Sequence, residues 1–199
     1  MNMDFIAVVL VLFNVLISMK GFNDRIFFEK YLFQTGSIIN GKEYIRMISS
    51  GFLHAGWGHL AFNMIALWSF GGLVEDFIGT IPFVILYFIS LVVGNLTSLY
   101  LHREELFYRA VGASGAVSGV VFASILLYPQ GSVIIFLIPF PIPSWLFGII
   151  YLIISIYGMR EQRDNIGHEA HFGGAIAGLI MTLWFRPSSG AEFIQYFIG

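Results

Sequence analysis

The chain has 199 residues, 57% of them hydrophobic and only 11% charged, with a mean hydropathy of +0.81. Soluble domains carry about 25% charged residues, so this composition cannot furnish a water-facing shell and excludes an ordinary soluble protein. Ten scattered Lys and Arg residues within a net charge of −2 leave no electrostatic footprint for nucleic acid, and the absence of cysteine excludes disulfides, thiol nucleophiles and cysteine-ligated metal sites.

A membrane-spanning helix needs about 20 apolar residues, within a range of roughly 17–25. The first is expected at 4–20. No basic residue precedes its apolar run and no small-x-small cleavage site follows, so Met1 to Met19 reads as a retained span rather than a signal peptide. From Gly21 to Gly56 the chain is amphipathic and too long for a simple connector. Lys20, Arg25, Lys30, Lys42 and Arg46 alternate there with Phe22, Phe27, Phe28, Tyr31, Phe33 and Tyr44, a mixture that suits a segment lying in the membrane interface. Further spans are expected at 57–78, 80–101, 112–128, 143–158 and 166–185. Between the fourth and fifth, the run from Ile138 to Pro143 holds three prolines and reads as an extended turn. The expected architecture is therefore all-α, a six-span membrane bundle forming one domain over 1–199.

Six spans put the connections after spans one, three and five on one side, with nine of the ten Lys and Arg residues; Arg186 stands alone on the other. The positive-inside rule makes the basic side cytoplasmic.

Ionisable groups inside a membrane cost several kcal/mol unless paired or hydrated, which marks them as functional-site candidates. Three clusters qualify. Span two opens with His54, His59 and Asn63, span four with Gly112, Ala113, Ser114 and Gly115, and span six with His168 and His171 followed by Gly173 and Gly174. These spans run in the same direction, so their starts share one face of the membrane. His59 and Asn63, four residues apart, lie on one side of their helix. Gly115 with Gly119, and Gly174 with Gly178, are small-xxx-small pairs that let helix backbones approach closely. A close crossing of spans four and six brings Ser114 within reach of His171, and a serine needs such a base to become nucleophilic. At a helix start, free backbone N–H groups can stabilise an oxyanion, and His59 and Asn63 add side-chain donors.

The Gly112–Gly115 motif, the run from Ala170 to Gly174 and the His59/Asn63 pair resemble the three signatures of the rhomboid intramembrane serine proteases. The similarity covers nearly the whole chain. It implies a rhomboid-like six-helix fold with a long interfacial loop between spans one and two. By the resemblance, Ser114 is the nucleophile, His171 the general base, and His59 with Asn63 the oxyanion donors. His54, Gly112 and Gly115 take supporting positions, and Glu75 matches a glutamate with a structural hydrogen-bonding role. Arg46 matches the arginine of a tryptophan–arginine pair whose tryptophan position here holds Ile45. Many members carry an aromatic four residues after the nucleophile that packs against the catalytic histidine; here that position is Ser118. The implied substrates are single-span or other transmembrane proteins entering sideways past span five. The implied location is the cell membrane, as a multi-pass protein with its site opening outside, opposite to the charge rule. No cofactor, metal or nucleic acid is implied.

Taken singly, these residues have plainer readings. Glycines in membrane helices are mostly packing devices, and a lone serine at a helix start is mostly a cap. His168 and His171, three apart without a third ligand, do not make a zinc site. His102 reads as a solvated interface residue and Glu169 as exposed at the mouth of span six. The competing function is a transporter, or a protein that binds transmembrane clients without cutting them, either of which would tolerate loss of the Ser114 hydroxyl.

Overall fold

The computed structural model describes residues 5–134, 140–161 and 167–199. Helix α1 spans Phe5–Asn23. The stretch after it folds into short pieces: α2 (Arg25–Tyr31), β1 (Phe33–Gln34), α3 (Thr35–Ile39), α4 (Arg46–Ser49) and a 3₁₀ turn over Ser50–Phe52. Asp24 caps α2 by accepting from the Phe27 N–H at 2.9 Å. Two 22-residue helices follow, α5 (Trp57–Ile78) and α6 (Thr80–Leu101), broken only by Gly79 at φ +87°. Strand β2 (Arg109–Ala110) returns to pair antiparallel with β1, fastening the interfacial stretch to the connection that follows α6.

Helix α7 covers Ser114–Leu127. A hairpin of β3 (Ser132–Val133) with β4 (Ile142–Pro143) leads into α8 (Ser144–Glu161), then α9 (His168–Phe185) and α10 (Ser188–Ile198). The six expected spans thus coincide with six helices, with ends shifted by a few residues. The extended turn is borne out over 140–143; Ile138 and Pro139 lie outside the described residues. Helix α10 has no counterpart in the sequence reading. It seats Phe197 edge-on against Trp145 at 5.4 Å and leaves Ile194, Tyr196 and Ile198 exposed.

Among the described residues, three helices, at Ile6–Asn23, Trp57–Ile78 and Thr80–Leu101, are long and apolar enough to cross a membrane. At 1.5 Å per residue, 22 residues reach about 33 Å, enough for a hydrocarbon core of roughly 30 Å. With 14 residues α7 reaches only about 21 Å. It needs no lipid contact, because every residue from Gly115 to Leu127 is buried by the helices around it. The exterior inverts the soluble pattern: Phe62, Ile65, Trp68, Ile81 and Trp184 point outward, while Asn14, Ser18, His54, Asn63 and Thr182 are buried. Such a surface belongs in lipid.

The seam between α6, α7 and α9 is made by small residues. A Cβ at Gly94 would stand 2.7 Å from the Ala170 carbonyl oxygen, and one at Gly115 3.3 Å from the same atom. Gly174 lies directly over the Gly115 carbonyl and Gly178 over that of Gly119, leaving no room for a side chain. The two small-xxx-small pairs therefore mesh with each other, as their spacing suggested.

Arg46 is buried in the interfacial stretch. It pairs with Glu43 at 2.6 Å and donates to the carbonyl oxygens of Glu29 and Leu32 at 2.9 and 2.7 Å, closing the end of α2. Glu75 accepts from the Ala7 N–H at 3.3 Å and the Thr80 hydroxyl at 2.9 Å, tying the far end of α5 to the starts of α1 and α6. Both sit in structural networks away from the three candidate clusters.

Candidate active site

The starts of α5, α7 and α9 carry the candidate residues, and the chain around Ser114 is held from several sides. Gly112 has φ +133°, a conformation that favours glycine, and its N–H donates to the Ser50 carbonyl at 3.0 Å. Ala113 N–H points at His54 Nε2 at 3.5 Å. The other side of His54 defines its proton: Ser18 Oγ gives its hydrogen to the Phe52 carbonyl at 2.9 Å, so His54 Nδ1–H donates to Ser18 Oγ at 2.8 Å. Nε2 is then the acceptor that Ala113 needs. Burial, with the neighbouring His59 as the smaller cause, pushes the His54 pKa down from 6.5 to about 3, so this ring is neutral at pH 7. A line of contacts thus runs from α1 through His54 to the residue before Ser114.

His59 stacks edge-on to His54 with ring centroids 5.0 Å apart. Its Nδ1 faces the Ala55 N–H at 3.5 Å, leaving Nε2 as the protonated nitrogen. A Cβ at Gly112 would stand 2.9 Å from His59 Nε2 and 3.7 Å from Ser114 Oγ, so the imidazole donor and the serine hydroxyl border the same small space. Asn63, one turn on, is buried and donates from Nδ2 to the His59 carbonyl at 2.9 Å. An amide nitrogen carries two hydrogens, so one remains for a ligand.

Ser114 is the first residue of α7 and half-buried. His171 lies in the first turn of α9, also half-buried, with its N–H on the Gly167 carbonyl at 3.1 Å. Gly115, directly after Ser114, packs against the Ala170 carbonyl, directly before His171. This contact of the α7–α9 seam therefore has the two candidate catalytic residues as its chain neighbours.

The sequence reading missed the residue beside His171. Tyr151 of α8 stacks on the His171 ring at 5.8 Å with an interplanar angle of 28°, and its hydroxyl meets Ser118 Oγ at 2.5 Å. Nothing local marks Tyr151 in an apolar helix; the only hint was the missing aromatic at 118. His168 is buried with its ring against Gly158 of α8, where any Cβ would overlap it.

Two expectations are corrected. His102 and Glu169 are each 6% exposed, not solvated. Glu169 Oε1 accepts from the Tyr108 hydroxyl and lies 3.2 Å from His102 Nε2, while His102 stacks flat on Tyr108 at 3.6 Å and meets Glu105 at 3.0 Å. Burial and the Glu169 carboxylate hold the Tyr108 phenol protonated far above its usual range, so it stays a donor. A carboxylate buried beside the start of α9 is tolerable because it is paired and hydrogen-bonded. Among the described residues no group of three or more His, Cys, Asp or Glu side chains is arranged to hold a metal ion.

The comparisons with known proteins agree on one family. The family model for the Rhomboid domain matches residues 41–188. Rhomboid protein 1, mitochondrial, of Saccharomyces cerevisiae is 31% identical over 157 residues, covering 77% of this chain and 45% of the yeast protein. Rhomboid protease GluP of Bacillus subtilis is 32% identical over 156 residues, covering 78% of this chain and 29% of GluP. Putative rhomboid protease YdcA of the same organism is 32% identical over 153 residues, covering 73% of this chain and 68% of YdcA. The chain spans about half the length of the yeast protein and of an Arabidopsis thaliana relative, RHOMBOID-like protein 12, mitochondrial.

Proposed function

The chain belongs to the rhomboid family, and we propose that it is an intramembrane serine protease that hydrolyses a peptide bond in or near a transmembrane segment of other membrane proteins. The observation that carries this reading is the glycine-meshed crossing of α7 and α9, with Ser114 and His171 on its rim and the His59 donor beside the Ser114 hydroxyl. Residues 1–199 act as one rhomboid-like unit, in which α1, α5, α6, α7, α8 and α9 are the six spans.

In the proposed cycle, Ser114 Oγ attacks the substrate carbonyl carbon while His171 takes its proton. The carbonyl oxygen becomes an oxyanion that faces the His59 Nε2–H, the remaining Asn63 amide hydrogen and the backbone at the start of α7. Collapse breaks the C–N bond, and the leaving amine takes the proton from His171. A water, deprotonated by the same histidine, then attacks the acyl-enzyme carbonyl; the ester bond to Ser114 Oγ breaks, His171 returns the proton to that oxygen, and the acid leaves. The serine–histidine chemistry needs no metal, cofactor or nucleic acid. His54 and Gly112 support it by fixing the turn that presents Ser114, and Gly115 by allowing the crossing; Glu75 and Arg46 hold the scaffold.

A helical substrate hides its amides in its own hydrogen bonds, so cleavage favours segments with small or helix-breaking residues. Single-span proteins of the same bilayer are the proposed substrates, entering past α8 with the 21–56 stretch shaping the rim. The cell membrane is the proposed location, supported by similarity to two Bacillus subtilis relatives. The site is proposed to open outside, so a reporter placed after Arg160 is expected to be non-cytoplasmic.

Cleavage of a single-span substrate by the purified chain tests the proposal. Wild type should cut, and Ser114→Ala and His171→Ala should each lose roughly 10³-fold or more in kcat/KM while staying folded. Equal cutting by all three would sink it.

A further inference from the structure

His171 needs a fixed ring orientation if it is to accept a proton from Ser114, and on its own helix the His168 ring meets it edge-on at 6.1 Å. Position 118, one turn after Ser114, cannot provide a stacked ring, since a serine carries none. The ring stacked on His171 comes from a different helix. Its centroid separation of 5.8 Å and angle of 28° fall within the offset-stacked range of aromatic pairs.

We propose that Tyr151, reaching over from α8, is a positioning residue of His171 and that Ser118 clamps it there, so that alignment of the base depends on α8 being docked on α7 and α9. The inference rests on the serine–histidine reading given above.

The hydrogen-bond directions support a clamp. Ser118 Oγ donates its hydrogen to the Ser114 carbonyl oxygen at 2.7 Å. Its lone pairs are then what the Tyr151 hydroxyl meets at 2.5 Å, so the tyrosine is the donor. A continuous chain runs from the phenol of α8, through Ser118, to the backbone of the nucleophile candidate itself. Serine at 118 is thus the partner that fixes an imported ring, in place of a ring of its own. Phe122 of α7 and Phe147 of α8 flank the phenol at 5.7 and 6.0 Å and limit its swing.

A second contact puts the same face of α8 against α9. Gly158, two helical turns after Tyr151, makes the notch in which the His168 ring lies, and His168 in turn meets His171 edge-on at 6.1 Å. Both histidines of α9 therefore rest on one stripe of α8. Moving α8 outward would strip the wall from His171 without disturbing the α7–α9 seam.

The test uses the purified chain in detergent with a single-span substrate, measuring kcat and KM separately, with Ser114→Ala and His171→Ala alongside. Tyr151→Leu should lower kcat roughly 10- to 100-fold with KM within about twofold. Tyr151→Phe keeps the ring but loses the bond to Ser118 and should run roughly two- to fivefold below wild type. Ser118→Ala breaks the Tyr151–Ser118 bond and also the Ser118 bond to the Ser114 carbonyl, so it should be at least as slow as Tyr151→Phe, and the double variant should be no slower than Ser118→Ala. Wild-type kcat in Tyr151→Leu, or an effect confined to KM, overturns the proposal. So does a multiplicative loss in the double variant. Should Tyr151→Leu not fold, the Phe/Ala cycle decides alone: a shared loss supports the clamp, and two variants at wild-type rate overturn it. Full activity in His171→Ala strikes the serine–histidine reading, whereas an inactive His171→Ala beside a fully active Tyr151→Leu strikes only the role of Tyr151.

Discussion

Helix α7 meets α9 backbone to backbone and α8 side chain to side chain. On the α9 side, Gly174 and Gly178 lie on the carbonyls of Gly115 and Gly119 with no side chain between. On the α8 side, Gly148 faces the Ile125 and Phe122 side chains and Tyr151 faces Ser118. Backbone contacts can be broken only by moving a whole helix, whereas side-chain contacts yield by rotamer changes. The candidate nucleophile and base are thus held in fixed register, and the helix that aligns the base sits on the more forgiving contact.

Four substitutions probe this arrangement, the first and the last of them on the two kinds of contact. Gly178→Ala puts a methyl against the Gly119 backbone, its Cβ 2.5 Å from Cα. It should cost about 3 kcal/mol or more and abolish cleavage, read as a fall in the detergent thermal midpoint. Gly112→Ala acts within the site. The new methyl meets the His59 ring at 2.7 Å in a backbone region that resists a side chain. A stability loss of about 1–2 kcal/mol and a kcat lower by roughly 10²-fold are expected.

The third acts through protons. The folded pKa of His54, about 3, lies below its value of 6.5 when unfolded. Between those values the unfolded chain binds more protons, so this stabilisation is fully present above about pH 6.5 and is lost as pH falls, at up to roughly 1.4 kcal/mol per unit. His54→Gln should flatten the acid slope of stability by about one proton relative to wild type, measured by denaturation between pH 6.5 and 4. An unchanged slope would show that His54 is not held neutral by the fold. The smallest effect belongs to Gly148→Ala on α8. Its Cβ would stand 2.9 Å from Ile125 Cδ1, a methyl that can turn away, and 3.5 Å from the Phe122 ring, an ordinary contact distance. Because alanine favours helix by about 1 kcal/mol over glycine, stability should stay within about 1 kcal/mol of wild type. A loss matching that of Gly178→Ala would erase the contrast between the seams.

Much of this was legible in the chain because one-dimensional patterns encode it. Apolar run lengths placed the helices, and the small-xxx-small spacings announced which faces of α7 and α9 meet. The start of α7 was marked by Gly112, Ser114 and Gly115, and those of α5 and α9 by their histidines. What stayed hidden depends on partners far apart in sequence. Glu169 and His102 each sit near a helix end, where an ionisable residue ordinarily meets water, and only the fold pairs them across 67 residues. Tyr151 has no sequence signal of its own; Ser118 recorded that something was needed but not from where. Helix α10 was passed over because its 11 residues are too few to span.

The complete burial of α7 has a consequence for how the protein is made. Its 14 residues, rich in glycine and serine, are a poor candidate for inserting into lipid alone. During synthesis, α5 and α6 can enter first on their own apolar length, but the glycine face of α7 has no mate until α9 follows. The finished crossing is therefore a late event in biogenesis, and a half-made chain carries the candidate nucleophile without the candidate base.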